Sequence, residues 1–185
     1  MVEVVDTPES QLHDPCMSKR QPGFLATIGY EGVTLDDFIA TLQDTGIKRL
    51  MDVRELPLSR RRGFSKTALS AALAEAGIEY VHLRGLGDPK PGRDAARSGD
   101  MPRFRRIFGA HMKTPKAQAD LAVAARLAIG GGTCLMCFEH DHSGCHRSIV
   151  ADAISARVPV PIRHLRVASA SSNPAVRKAP AIEHT

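Results

Sequence analysis

The chain has 185 residues, 43% of them hydrophobic, which suits one domain with a full core and is too short for two. Aromatics make up 4% and tryptophan is absent, so Leu, Ile, Val and Ala must build the core. A formal charge of +5 favours anionic partners without requiring nucleic acid, and no apolar run approaches the ~20 residues of a membrane span, so no membrane partner is expected.

Residues 1–22 lack hydrophobic periodicity and contain Pro8, Pro15 and Pro22, the composition of a disordered leader. Acids stand near the N-terminus where a signal peptide would carry Lys or Arg before an apolar stretch. A cytoplasmic location is expected, with Cys16, Cys134, Cys137 and Cys145 reduced. The domain is expected over residues 23–168. It opens with the apolar run Phe24 to Ile28, ended by Gly29. Thr34 then stands as an N-cap with Asp37 three residues on, and Leu35, Phe38, Ile39 and Leu42 keep a helical spacing up to Gly46. A second strand follows over Ile47 to Val53, and after it a basic loop from Arg54 to Phe64.

Ser65 is placed to cap the next helix, whose face is Leu69, Ala72, Leu73 and Ala76. Ile78 to His82 makes a third strand, and residues 83–100 read as a long loop, functional or mobile. Helical spacing resumes at Phe104, Ile107 and Phe108, and Thr114-Pro115 begins another helix as N-cap and N1. The strand Thr133 to Phe138 leads through a polar loop into a helix from about His146 to Ala156. Ile162 to Val167 suits a last strand, and residues 169–185, rich in Ser, Pro and Ala, read as a disordered tail.

Strands that alternate with helices predict an α/β single domain: a mostly parallel sheet of about five strands with helices on both faces. Such sheets bind ligands at the carboxyl ends of their strands. There lie Tyr30 and Glu31, Asp52 and Arg54, His82, and Cys137 with Glu139. Cys145, His146 and Arg147 open the last long helix, where free backbone N–H groups and a partial positive charge would depress a thiol pKa and hold an anion.

The leading expectation is an enzyme-like pocket for a small anionic ligand or phosphate group, with enzymatic activity left open. Arg54, Arg60, Arg147, Tyr30 and His82 would bind the anion, and Cys145, His146 and Glu139 are the reactive candidates. Arg54, Arg60, Arg61, Arg62 and Lys66 could instead follow a nucleic-acid backbone in a non-catalytic or regulatory module, though only Phe64 is at hand for base stacking. A zinc reading is the third alternative, since Cys137, His140, His142, Cys145 and His146 supply enough donors for a tetrahedral site, without the paired Cys-x-x-Cys knuckles of structural zinc. No cofactor is expected and no metal ligand is assigned.

Five motifs occur in order: Thr27-Ile28-Gly29-Tyr30-Glu31-Gly32; Met51-Asp52-Val53-Arg54 continuing to Arg60; Gly63-Phe64-Ser65-Lys66; Gly77-Ile78-Glu79-Tyr80-Val81-His82-Leu83; and Cys137-Phe138-Glu139 with Cys145-His146-Arg147-Ser148. With them the chain resembles the DUF488 family from about Phe24 to Val167. That resemblance implies a fold and a set of signature positions but no reaction. The positions are Gly29, Asp52, Arg54, Pro57, Ser59, Arg60, Phe64, His82, Leu83, Cys137, Glu139, Cys145, His146 and Arg147. Members often carry Gly-His-Ser after the first strand, where this chain has Gly29-Tyr30-Glu31. A fainter similarity is to rhodanese domains, whose loop sets an Arg a few residues after the Cys. Cys137 is too far from Arg147 for that loop and Cys145 too near, so sulfur-transfer chemistry is not carried over.

Overall fold

A computed structural model of the chain describes residues 23–167. The leader and tail readings, and Cys16, lie outside the described residues. Five strands form one sheet: β1 (Leu25–Gly29), β2 (Arg49–Asp52), β3 (Glu79–His82), β4 (Thr133–Cys137) and β5 (Ile162–His164). Their order is β3-β2-β4-β1-β5 and every pairing is parallel. All residues of β1 and β4 are buried, as strands covered on both faces must be, and their sequences are correspondingly short of charge.

Six α-helices cover the sheet: α1 (Leu35–Asp44), α2 (Lys66–Glu75), α3 (Lys90–Arg97), α4 (Met101–His111), α5 (Pro115–Ile129) and α6 (His146–Ser155). Two cores result. Phe38, Leu42, Leu69 and Leu73 of α1 and α2 pack with Ala26, Ile28, Leu50 and Met136 on one face. Phe104, Phe108, Leu121, Ala124, Val150 and Ile154 of α4, α5 and α6 pack with Leu25, Met51 and Leu135 on the other. The caps follow their side chains. Thr34 Oγ1 accepts from Asp37 N at 3.1 Å, Asp100 from Arg103 N at 3.0 Å and Thr114 from Ala117 N at 3.3 Å. Ser65 stands at its N-cap without a side-chain cap bond.

One segment departs from expectation. Residues 83–100 are not a long loop: a 3-10 turn (Arg84–Leu86) and α3 fill most of it. Pro91 and Gly92 read as loop residues, but Pro91 sits in the first turn, where no backbone N–H is missed. At Gly92 a Cβ would lie 2.0 Å from Asp88 Oδ1, so close contact with that carboxyl requires glycine there.

The pairing register sets the site. Gly29 is level with Cys137, and Asp52 is level with both His82 and Met136. The connections from β1 and β2 pass to one face and that from β4 passes to the other. Cys137 therefore ends in the crevice where the connections diverge, the position that binds ligands in open α/β sheets.

Candidate functional site

Cys137, the last residue of β4, Glu139 in the following loop, and Cys145 and His146 at the start of α6 converge at this edge. Their donor atoms all lie within 4.8 Å of one another. The Cys137 and Cys145 thiols both donate to Glu139 Oε2, at 2.9 and 3.0 Å. His146 Nδ1 is 3.6 Å from Cys137 Sγ and 3.9 Å from Cys145 Sγ. Its Nε2 is 2.9 Å from the Val53 carbonyl, which fixes the ring and turns Nδ1 to the sulfurs. Phe108 packs edge-on against the same ring, with centroids 5.4 Å apart.

Cys145 occupies the N-cap of α6 but makes no cap bond with its side chain, which leaves the sulfur to the cluster. Both cysteines are 3% exposed and His146 is 6% exposed. Glu139 is an exposed residue whose carboxylate end turns inward.

Electrostatics here run against the expected activation of a thiolate. Burial pushes the Cys145 thiol well up, and burial likewise raises Cys137. Burial also opposes the Glu139 charge, but the two thiol hydrogen bonds outweigh it and the carboxyl moves down. The resting arrangement is two neutral thiols donating to one carboxylate.

Arg147 is 1% exposed. Its Nη1 donates to the Glu139 carbonyl and its Nη2 to the His140 carbonyl at 3.0 Å, so it shapes the loop. Gly29 passes so close beneath that loop that a Cβ would lie 1.8 Å from the Glu139 carbonyl oxygen. On the outer side the His140 N–H donates to Glu31 at 2.9 Å.

Arg54 is similarly engaged. Nε and Nη2 grip Asp52 at 2.8 and 2.6 Å, and Nη1 donates to Tyr30 Oη and to the Phe64 carbonyl, each at 2.9 Å. Burial opposes its charge, yet the Asp52 carboxylate outweighs that and raises the guanidinium pKa further. Tyr30 is buried beneath Phe64, the rings stacked 4.4 Å apart, and His82 Nε2 lies 3.0 Å from the Arg54 carbonyl. Of the five residues expected to hold an anion, Arg60 alone is exposed to solvent. His140 is exposed and His142 stacks on His164 at 3.5 Å, so neither of these zinc candidates is among the four clustered donors.

A second carboxyl bears on the site, from a segment whose Gly and Pro content reads as loop in the sequence. Asp88 is 5% exposed and its Oδ1 has no hydrogen-bond partner. Burial pushes its pKa up to about 6, against the opposing charges of His146 and Arg93. A raised carboxyl favours the fold while protonated, so this group costs stability as pH climbs from about 4 to about 6. Asp88→Asn is expected to stabilise the chain by about 2 kcal/mol at pH 7 and by almost nothing at pH 4, read from urea melts at the two pH values. An equal effect at both would mean that the carboxyl titrates normally.

The family model described as domain of unknown function DUF488 matches residues 34–154. The span includes the Asp52–Arg54 pair and all four clustered donors, and begins after Gly29-Tyr30-Glu31. No curated protein and no solved structure is matched.

Proposed function

The chain belongs to the DUF488 family, and from that premise we propose that it is a metal-binding protein, holding one divalent ion between Cys137, Glu139, Cys145 and His146. The observation that carries this reading is the separation of the donors. A tetrahedral ion at ~2.0–2.3 Å from each ligand sets its donors ~3.3–3.8 Å apart. The sulfur–nitrogen pairs, at 3.6 and 3.9 Å, sit close to that spacing before any ion is placed, and the sulfur–oxygen pairs need to open by about half an ångström. Two thiols, an imidazole and one carboxylate suit zinc, whose preferred ligands are sulfur and nitrogen. The Val53 carbonyl holds the far nitrogen of His146 as outer partners of metal-bound histidines do. The two thiol protons directed at Glu139 are what a dication would displace.

The anion-pocket reading ranks below this one, because Arg54 and Arg147 already have internal partners. A nucleic-acid reading would rest on Arg60, Arg62 and Lys66 as exposed side chains, without a groove to define it.

The test is reconstitution of metal-free, reduced protein. One zinc or cobalt per chain is expected, and the cobalt form should show the sulfur-to-metal charge-transfer band of two thiolate ligands. Cys145→Ala and His146→Ala should each remove the ion, whereas His140→Ala and His142→Ala should keep it. Full-length protein that takes up no ion at micromolar metal would overturn the reading.

A further inference from the structure

We propose that the coordination position filled by Glu139 is exchangeable, so that water or a small anion takes it while Glu139 accepts a proton beside the metal. This rests on the metal reading above and makes the centre a site for hydrolytic chemistry in place of a purely structural one.

The four donors are not held alike. Cys137 ends a central strand, and Cys145 and His146 begin α6, so regular structure fixes all three. His146 is further tied to Val53 through its second nitrogen. These three are buried. Glu139 is on a loop, is exposed, and lies between exposed Phe138 and exposed His140.

Its backbone is nonetheless pinned. Arg147 holds the carbonyls of residues 139 and 140, and Glu31 takes the N–H of residue 140. The carboxylate can therefore rotate out about its own side-chain bonds while its main chain stays in place. A carboxylate that has just left the ion is still within hydrogen-bond reach of whatever replaces it, because Oε2 starts 2.9 and 3.0 Å from the two sulfurs.

Charge does not oppose the exchange. Two thiolates neutralise a dication and the imidazole adds none, so the centre carries the same single negative charge with carboxylate or hydroxide in the fourth position. Two sulfurs and one nitrogen with an open fourth position are an established arrangement for catalytic zinc, as is a glutamate beside such a set that moves protons without binding the metal. A metal held by Cys137, Cys145 and His146 would acidify water in the open position, and Glu139 would be the group placed to take the proton that water gives up.

The full chain loaded with cobalt tests this. Metal affinity is measured by chelator competition for wild type, Glu139→Ala, Glu139→Gln and Cys145→Ala, and azide is titrated into each loaded form. Glu139→Ala should weaken binding by no more than about ten- to a hundredfold, the effect of a group that supports the ligands, whereas Cys145→Ala should lose far more. Azide should shift the visible bands of wild type, and at lower concentration those of Glu139→Ala. Loss of cobalt from Glu139→Ala equal to that from Cys145→Ala overturns the proposal, as do bands in wild type and Glu139→Ala that azide leaves unchanged. Failure of wild type to bind cobalt at all brings down the metal reading and this one with it, so the two failures are told apart.

Discussion

Arg54→Ala should cost about 3–5 kcal/mol in a urea melt, because it leaves the fully buried Asp52 carboxylate without its cation. Two fork contacts to Asp52, one to Tyr30 and one to the Phe64 carbonyl disappear together. The backbone N–H of residue 54 still donates to Asp52 Oδ1 at 3.0 Å and Tyr80 Oη to Oδ2 at 2.6 Å, but two neutral donors do not balance a buried charge. Arg54→Lys keeps a charge and loses the planar fork, so it should recover less than half of the loss. The double variant Asp52→Asn with Arg54→Met should be milder than Arg54→Ala alone, since it removes both charges and keeps most of the volume. A single variant within about 1 kcal/mol of wild type would mean that Asp52 reaches water or a proton once Arg54 is gone. The same experiment bears on the anion reading. Phosphate would stabilise wild type and not Arg54→Ala if the guanidinium were free to bind it; with all its donors toward Asp52, Tyr30 and Phe64 engaged, no such difference is expected.

Much of this pair was readable from the chain. Asp52 ends β2 and Arg54 follows two residues later, so a period of two puts both side chains on one side of the extended backbone. The same spacing joins Cys137 to Glu139. The five strands and their edge were readable too, because β1 and β4 are uncharged and apolar but for Thr27 and Thr133, and the helices between strands keep their caps. What the chain does not display is where a long side chain ends. Arg147 opens a helix beside a cysteine, which suggests an anion; its true partners are carbonyls seven and eight residues earlier, set by how tightly the loop curls over Gly29. The direction of the Cys145 shift is hidden in the sequence for a related reason. A helix N-terminus lowers a thiol pKa only where the sulfur stays near water, and here burial is the larger effect. Helix α3 was hidden by Pro91 and Gly92, which mark turns in isolation and mark a tight helix start beside Asp88 here.

Arg147→Ala is expected to have the second large effect, and a divided one. Its side chain is among the largest of the fully buried ones, so truncation opens a cavity and releases the Glu139 and His140 carbonyls at once. For metal-free protein the loss should be about 3 kcal/mol or more, the sum of a void and unpaired carbonyls. Arg147→Met refills most of the volume without the donors, so the difference between the two variants separates packing from loop anchoring. Neither variant touches a donor atom of the cluster, yet both should weaken cobalt binding, because the loop that carries Glu139 is no longer held against β1. Added cobalt should then restore more stability to Arg147→Met than to Cys145→Ala. Binding to the native form alone stabilises it in proportion to affinity, and Cys137, Cys145 and His146 remain in place when Arg147 is lost. If Arg147→Met matched wild type in both stability and cobalt affinity, the guanidinium would contribute volume only, and the pinned backbone on which the exchange at Glu139 depends would have to be held by Glu31 and Gly29 alone.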